Sequence, residues 1–420
     1  MSAVDDCCLG AVDAVSVEEA WRRLEQVARP RVATENVALR EACGRIIAET
    51  LVSPRDVPPF DNVAVDGYAF AGASLASEGR TRLRLMPGRA AAGHPHRLPV
   101  PEGCALRVLT GAMLPPGTDT VVMEEEVERD GEWLFVPAGY RPGRNARQRG
   151  EDVRAGARLF AAGTRIAPQH VGVAAELGFS ELRVYAPLDV AVFSSGDELR
   201  EPGSPLEPGT IYDANRLMLQ AYLSELPVRI HDFGILPDEE GAVRRALSRA
   251  ARQCQVIVTS GGASRGDEDH LARMLAHEGE LHFWRLRMKP GRPLALGRFE
   301  GADLIALPGN PVAAAVGFLL FARPLLLAFA GGRFRRPRAV PLEAAFALRK
   351  KEGRSEFLRA RLVPRPDGSL AVDRIAREGS GILTSMTEAD GLVHLGEETV
   401  RVEPGERVAF LSFAELCGPR

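Results

Sequence analysis

Between residues 186 and 330 the chain repeats one pattern: a short β-branched run, a polar loop, then a helix-length stretch. Val190–Phe193, Val228–Leu236, Val256–Thr259 and Leu304–Leu307 read as strands. Ala214–Leu226, Glu239–Arg252, Leu271–His277 and Val312–Leu320 read as the helices between them. Strands that are apolar at nearly every position need cover on both faces, which a parallel sheet flanked by helices supplies. Such a sheet binds ligands beyond the carboxyl ends of its strands.

The flanking segments differ. Ser16-Val-Glu-Glu19 is a capping box, and Val17, Ala20, Trp21, Leu24 and Val27 follow at helical spacing until Arg29-Pro30. Residues 80–140 alternate short β-type runs (Leu83–Leu85, Ala105–Leu109, Thr120–Met123, Trp133–Val136) with Gly/Pro turns, and a helix follows over Pro168–Leu177. From about 335, short runs such as Val400–Val402 and Arg407–Leu411 predict a small barrel or sandwich.

A chain of 420 residues has room for about three domains, perhaps one more. Its formal charge of −3 argues against a nucleic-acid-coating protein. Six scattered cysteines (Cys7, Cys8, Cys43, Cys104, Cys254, Cys417) form no C-x-x-C pair, the pattern of a reduced compartment. Asp5-Asp6 stands where an export signal needs positive charge, so a cytoplasmic protein is expected. Val312 to Ala330 is strongly apolar, but Arg323-Pro324 interrupts it; a buried helix is expected and no membrane span.

Three polar loops fall at the binding edge of the predicted sheet. In Ser260-Gly-Gly-Ala-Ser-Arg-Gly-Asp-Glu-Asp269 the glycines let backbone N–H groups approach an anion at a helix N-terminus. Asp267 and Asp269 would repel a bare phosphate, and a divalent cation between them resolves the conflict; Mg²⁺ with a phosphorylated ligand is therefore expected. The competing reading is a polar turn that caps the next helix. Asp197-Glu198 and Asp238 end neighbouring strands. Of the 53 basic residues only three are lysine, at 289, 350 and 351. Lys289-Pro-Gly-Arg-Pro293 thus sets a rare point charge beside Arg292, on a turn that suits an anion or simply solvent. The Arg141–Arg149 run, followed by Glu151-Asp152, fits a solvated face, an RNA contact or an oxyanion site. Asp61 and Asp66 are paired carboxylates or turn formers. No histidine shows metal-ligand spacing, and no Walker A, Rossmann or nucleophile-elbow motif occurs.

Seven strings occur in order: Asp56-Val-Pro-Pro-Phe-Asp-Asn-Val-Ala-Val-Asp-Gly-Tyr68, Thr110-Gly-Ala112, Arg149-Gly-Glu-Asp152, Ser195-Gly-Asp-Glu-Leu199, Ser260-Gly-Gly262, Lys289-Pro-Gly-Arg-Pro293 and Pro308-Gly-Asn-Pro311. Together they resemble the molybdopterin molybdenumtransferase family, known as MoeA and related to the gephyrin E domain, over about residues 15–412. The resemblance implies an α/β multidomain fold. A central doubly wound parallel or mixed sheet, MogA-like, spans 186–334. It is flanked by an N-terminal α+β domain (1–52 with 148–185), an inserted β-rich domain (53–147) and a C-terminal β-barrel-like domain (335–420).

The same resemblance implies an enzyme that takes adenylyl-molybdopterin and molybdate, cleaves the pyrophosphate with Mg²⁺ as cofactor, and releases AMP and molybdenum cofactor. It implies Asp66, Asp152, Glu198, Asp238 and Asp269 as catalytic carboxylates, and Glu198, Asp267 and Asp269 as the metal's ligands. Thr110, Ser260, Gly261, Gly262, Ser264, Lys289, Arg292, Pro293, Arg359 and Ser385 would bind substrate. A cytoplasmic homodimer is implied, with transient contacts to a molybdopterin adenylyltransferase and to cofactor-accepting molybdoenzymes, and with neither nucleic acid nor membrane as partner. The sequence departs from the family pattern at Arg292 (usually lysine), Ala313 (usually serine), Ser195 (usually threonine) and His270 (usually aromatic). A related adenylyl transferase would match only 186–330, and a pure scaffold would carry a further domain or long linker.

Overall fold

The computed structural model describes residues 14–261, 274–275 and 279–418. Asp5-Asp6, Cys7, Cys8 and most of the predicted helix Leu271–His277 lie outside these residues. The chain forms two compact units: Met1–Glu49 with Ala162–Val171 and Glu181–Arg420, and Thr50–Ala161 with Gly172–Ser180.

A six-stranded sheet centres the first unit, in the order Val228–Leu236, Leu188–Ser195, Val256–Ser260, Ala302–Leu307, Pro293–Phe299, Glu280–Arg285. The first four strands are parallel. The last two are antiparallel additions, so the sheet is mixed. Each parallel strand serves two cores. Val190, Val192, Val258 and Ile305 enter one cluster, while their neighbours Ala191, Phe193, Ile257 and Leu304 enter another on the opposite face. That two-sided burial is why the strands carry no polar alternation. Helix Glu240–Ala251 covers the second face with Val243, Leu247 and Ala250.

On the first face lies the apolar stretch. It is helical without interruption from Pro311 to Phe329 and buried from Val312 onward, which corrects the expected break at Arg323-Pro324. A π-turn over Phe318–Ala322 absorbs the proline. Pro324 has no N–H for the Leu320 carbonyl, and the Trp21 indole N–H takes that carbonyl instead at 3.2 Å, inside the core. Trp21 is delivered by helix Val17–Val27, capped at Ser16 by the Glu19 N–H at 3.0 Å. The reciprocal half of the predicted capping box is not made: the Glu19 carboxylate binds Arg22 and Arg23.

The C-terminal segment closes into a five-stranded barrel. Its strands run Ser355–Pro364, Leu370–Arg374, Val340–Ala344, Arg407–Ser412 and Gly391–Leu395, the last pairing back to the first. The short strand Met288–Lys289 pairs with the barrel strand in register, Lys289 opposite Glu356.

The second unit holds a six-stranded sheet in the order Thr120–Met123, Gly67–Phe70, Cys104–Val108, Thr81–Ala90, Trp133–Val136, Glu128–Asp130. Its cores are built from Val63, Leu106, Val108 and Val121 on one side, and Phe70, Leu83, Val122 and Leu134 on the other.

Candidate active site

A cavity of about 1080 Å³ opens in the first unit at the carboxyl ends of Leu188–Ser195, Val256–Ser260 and Ala302–Leu307, facing the barrel. Glu198, Asp238, Ser260, Gly261, Lys289, Arg292, Pro293 and Arg359 all line it. Asp267, Asp269, Gly262 and Ser264 lie outside the described residues. Asp66, Thr110 and Asp152 belong to the second unit.

The acidic wall forms where two strands end side by side. Asp197 accepts the backbone N–H of Asp238 at 3.1 Å, which ties the Glu198 loop to the Asp238 loop. Gly261 lies at φ +93°, and a Cβ there would come within 2.4 Å of the Ser195 carbonyl, so only glycine lets the chain leave its strand this way. Ser260 is buried; its hydroxyl donates to the Pro308 carbonyl at 3.2 Å and accepts from Asn215 Nδ2 at 2.8 Å. Asn215 Nδ2 also donates to the Gly309 carbonyl at 2.6 Å, so one amide joins two loops of the cavity rim.

Asn215 and Asp213 were not singled out from the sequence. Asp213, 1% exposed, caps helix Ala214–Ser224 and accepts from the Ser194 hydroxyl at 3.1 Å. Arg216, 3% exposed, gathers Asp213, Asp232 and Glu201. Burial alone would depress its charge, but those carboxylates outweigh it and hold its pKa above the ordinary value. An Asp-x-Asn-Arg string opening a helix after a strand was the available signal.

The basic wall comes from the barrel side. Lys289 Nζ lies 3.5 Å from Glu378 and 3.9 Å from Glu356, a carboxylate only 3% exposed. Arg354 also holds Glu356, at 2.9 Å. Arg359 is buried; its Nε donates to Ser385 at 3.1 Å and its Nη2 to the Arg377 and Gly379 carbonyls at 2.6 and 3.3 Å. Burial lowers its pKa, against an attraction from Glu378. Arg292 is exposed and makes no ion pair among the described residues. Helix Pro311–Phe329 points its first turn into the same space. Asn310 gives it no side-chain cap, and Ala313 lines the cavity with a methyl group in place of a hydroxyl.

In the second unit, Asp66 starts the strand Gly67–Phe70. A Cβ at Gly67 would fall 1.9 Å from the Val122 carbonyl, so the Asp-Gly pair marks a close strand contact and not the turn that its composition suggests. Thr110 holds Asp66 with hydroxyl and backbone N–H, which keep its carboxyl below the usual range. Asp61 accepts instead from the Arg149 N–H at 2.7 Å, and Arg149 Nε binds Asp56 at 2.6 Å. Arg144 pairs with Glu126 at 3.0 Å and stacks on Tyr140. The arginine run is therefore partly spent on local structure. Asp152 is exposed, its N–H bonded to the Val57 carbonyl at 3.0 Å.

Three family models cover this chain in order. They are the MoeA N-terminal region (domain I and II) over residues 15–178, a probable molybdopterin binding domain over 191–328, and the MoeA C-terminal region (domain IV) over 341–413. The molybdopterin molybdenumtransferase of Haemophilus influenzae is 36% identical over 400 residues, 94% of this chain and 98% of that protein. The chain belongs to the MoeA family of molybdopterin molybdenumtransferases. Membership makes it an enzyme of molybdenum cofactor biosynthesis, with the MoeA multidomain α/β fold. The Bacillus subtilis molybdopterin molybdenumtransferase is 29% identical, covering 96% of this chain and 95% of that one. A crystal structure of the molybdopterin biosynthesis MoeA protein of Pyrococcus horikoshii OT3 superposes with a TM-score of 0.82 at 29% identity, covering 95% of this chain and all of that one.

Proposed function

We propose that this enzyme inserts molybdenum by Mg²⁺-dependent cleavage of adenylyl-molybdopterin, passing molybdate to the dithiolene and releasing AMP. The observation that carries this reading is the two-signed wall of the 1080 Å³ cavity: Glu198 and Asp238 on the sheet edge, Lys289, Arg292 and Arg359 on the barrel side. A bare anion site would exclude the carboxylates, and a bare cation site would exclude the arginines. A pyrophosphate that carries a divalent ion needs both.

Among the described residues no three acidic, histidine or cysteine side chains converge as a metal cluster. The available donors are carboxylate oxygens, which suit Mg²⁺; Glu198 would hold it together with Asp267 and Asp269 of the neighbouring loop. The ion would neutralise pyrophosphate charge. Lys289, Arg292 and Arg359, whose Nη1 has no partner among the described residues, supply the remaining positive field for phosphate and molybdate. Ser385 and the Arg377 and Gly379 carbonyls fix the Arg359 fork. Pro293 and Gly261 shape the walls, Ser260 and Asn215 hold the loops, and the backbone of Gly262 and Ser264 would meet the nucleotide. Asp66, kept ionised by Thr110, would act with Asp152 in the metal-insertion step. Ala313 withdraws one hydroxyl from the oxyanion, leaving the helix N-terminus and arginines to bind it.

The reading includes a cytoplasmic homodimer that receives substrate from an adenylyltransferase and hands cofactor to molybdoenzymes, with the four-domain division given above. AMP release from adenylyl-molybdopterin, followed with and without molybdate and Mg²⁺, tests it. Release requiring both ions supports the proposal; tight nucleotide binding without release refutes it.

A further inference from the structure

A second cavity, of about 310 Å³, shares no lining residue with the first and also lies wholly within the first unit. Four arginines line it, Arg165, Arg323, Arg333 and Arg335, together with His170, and among the described residues no aspartate or glutamate does. In a chain of net charge −3, four arginines around one hollow concentrate positive charge.

The arginines are placed by backbone. Arg165 donates from Nε to the Gly44 carbonyl at 3.2 Å and from Nη2 to the Glu225 carbonyl at 2.6 Å. Burial pushes its pKa down, against an attraction from Glu225. Arg165, half-buried, and the exposed Arg333 and Arg335 form no ion pair among the described residues. Arg323 is buried against the Cys417 and Gly418 carbonyls at 2.9 and 2.5 Å. His170 Nδ1 accepts the Ala167 N–H at 2.8 Å, which fixes that edge of the ring.

The hollow depends on a close approach of two loops. Gly163 sits at φ +84°, and a Cβ there would meet Arg333 Cγ at 3.1 Å, so glycine lets the 331–335 segment close against the 163–170 segment. Beside the polar Thr164 and Gln169, one wall is apolar: Ile46, Ile166, Pro324 and Leu327 are all buried. Arginines beside an apolar wall fit a ligand with an oxyanion head and a small apolar body.

We infer that this cavity is a second ligand site, distinct from the active cavity, which binds a small phosphate monoester by its charged head and its apolar body together. Tetrahedral oxyanions share the head chemistry, and the apolar wall selects the ester.

Calorimetric titration with phenyl phosphate at low salt tests this in full-length Lys289→Ala protein, whose active cavity is weakened. The expected result is one binding event. The double variant Arg333→Ala/Arg335→Ala, both exposed positions whose loss leaves the core intact, should weaken it roughly tenfold or more. Inorganic phosphate and molybdate, titrated separately, should bind several-fold more weakly than phenyl phosphate. Absent binding, binding unchanged in the double variant, or equal affinity for ester and bare oxyanions would overturn the assignment.

Discussion

Thr110 gives both its hydroxyl, at 2.6 Å, and its backbone N–H, at 2.8 Å, to the same oxygen of Asp66. The hydroxyl contributes most to keeping that carboxyl below its ordinary pKa, the N–H next, and Arg107 adds a smaller attraction. A depressed carboxylate keeps its charge to lower pH and loses it only as pH falls through the folded value. Thr110→Val removes the larger donor. The acid limb of kcat/KM for AMP release should therefore move to higher pH in that variant, while Asp66→Asn should lose roughly 100-fold or more at neutral pH. An acid limb identical to wild type would show that Asp66 takes no part.

The register pair Lys289 and Glu356 joins the sheet domain to the barrel. Lys289→Ala is expected to lower kcat/KM by about 100-fold, the scale of losing one charge that faces a developing anion. Glu356→Gln keeps the volume but lets the ammonium wander, and should lose about tenfold. The two losses should not multiply in the double variant, since one acts through the other. Steady-state AMP release in all three proteins decides it.

The Trp21 indole satisfies the carbonyl that Pro324 abandons. Trp21→Phe keeps an aromatic ring against Phe321 but leaves the Leu320 oxygen buried and unbonded. A loss of about 1–3 kcal/mol is expected from that oxygen alone. Pairing the change with Pro324→Ala restores a backbone donor and should recover part of the loss; denaturant unfolding of the four proteins measures it.

His394 stacks on Phe357 at 4.5 Å between ring centroids, and its Nε2 is buried without a hydrogen-bond partner among the described residues. Burial, then repulsion from Lys350, lowers its pKa from 6.5 to about 4. The unfolded chain then binds more protons between those values. Stability is full above about 6.5 and is lost as pH falls toward 4, by roughly 2–3 kcal/mol. His394→Phe should flatten this segment of the stability–pH curve. An unchanged slope in urea unfolding would place the charge sensitivity elsewhere.

Much of this molecule is legible in its residues because burial on two faces leaves an unmistakable trace. The strands around Val190, Val228, Val256 and Leu304 are where their apolar runs put them. The antiparallel strands Glu280–Arg285 and Pro293–Phe299 lacked that trace although their partners are close in sequence, with Arg285 opposite Pro293 and Phe299 opposite Ala302, because Pro293, Gly297 and Arg298 interrupt the second run. Glu198 and Asp238 were legible because they end predicted strands at the binding edge of a parallel sheet, and Lys289 with Arg292 because lysine is rare in this chain. Asp213 and Asn215 were missed because a helix cap and a functional side chain look alike in one dimension.

The sequence by itself determined the kinds of element, the loops that carry charge and the family to which the chain belongs, because these depend on local periodicity and on strings of neighbouring residues. Only the tertiary structure decided which charges meet. Lys289 faces Glu356 because a two-residue strand pairs with a barrel strand more than sixty positions away, and Trp21 bonds Leu320 because a helix near the start of the chain packs on a proline-interrupted one near residue 320. Such contacts are fixed by closure of the core, which no local pattern encodes.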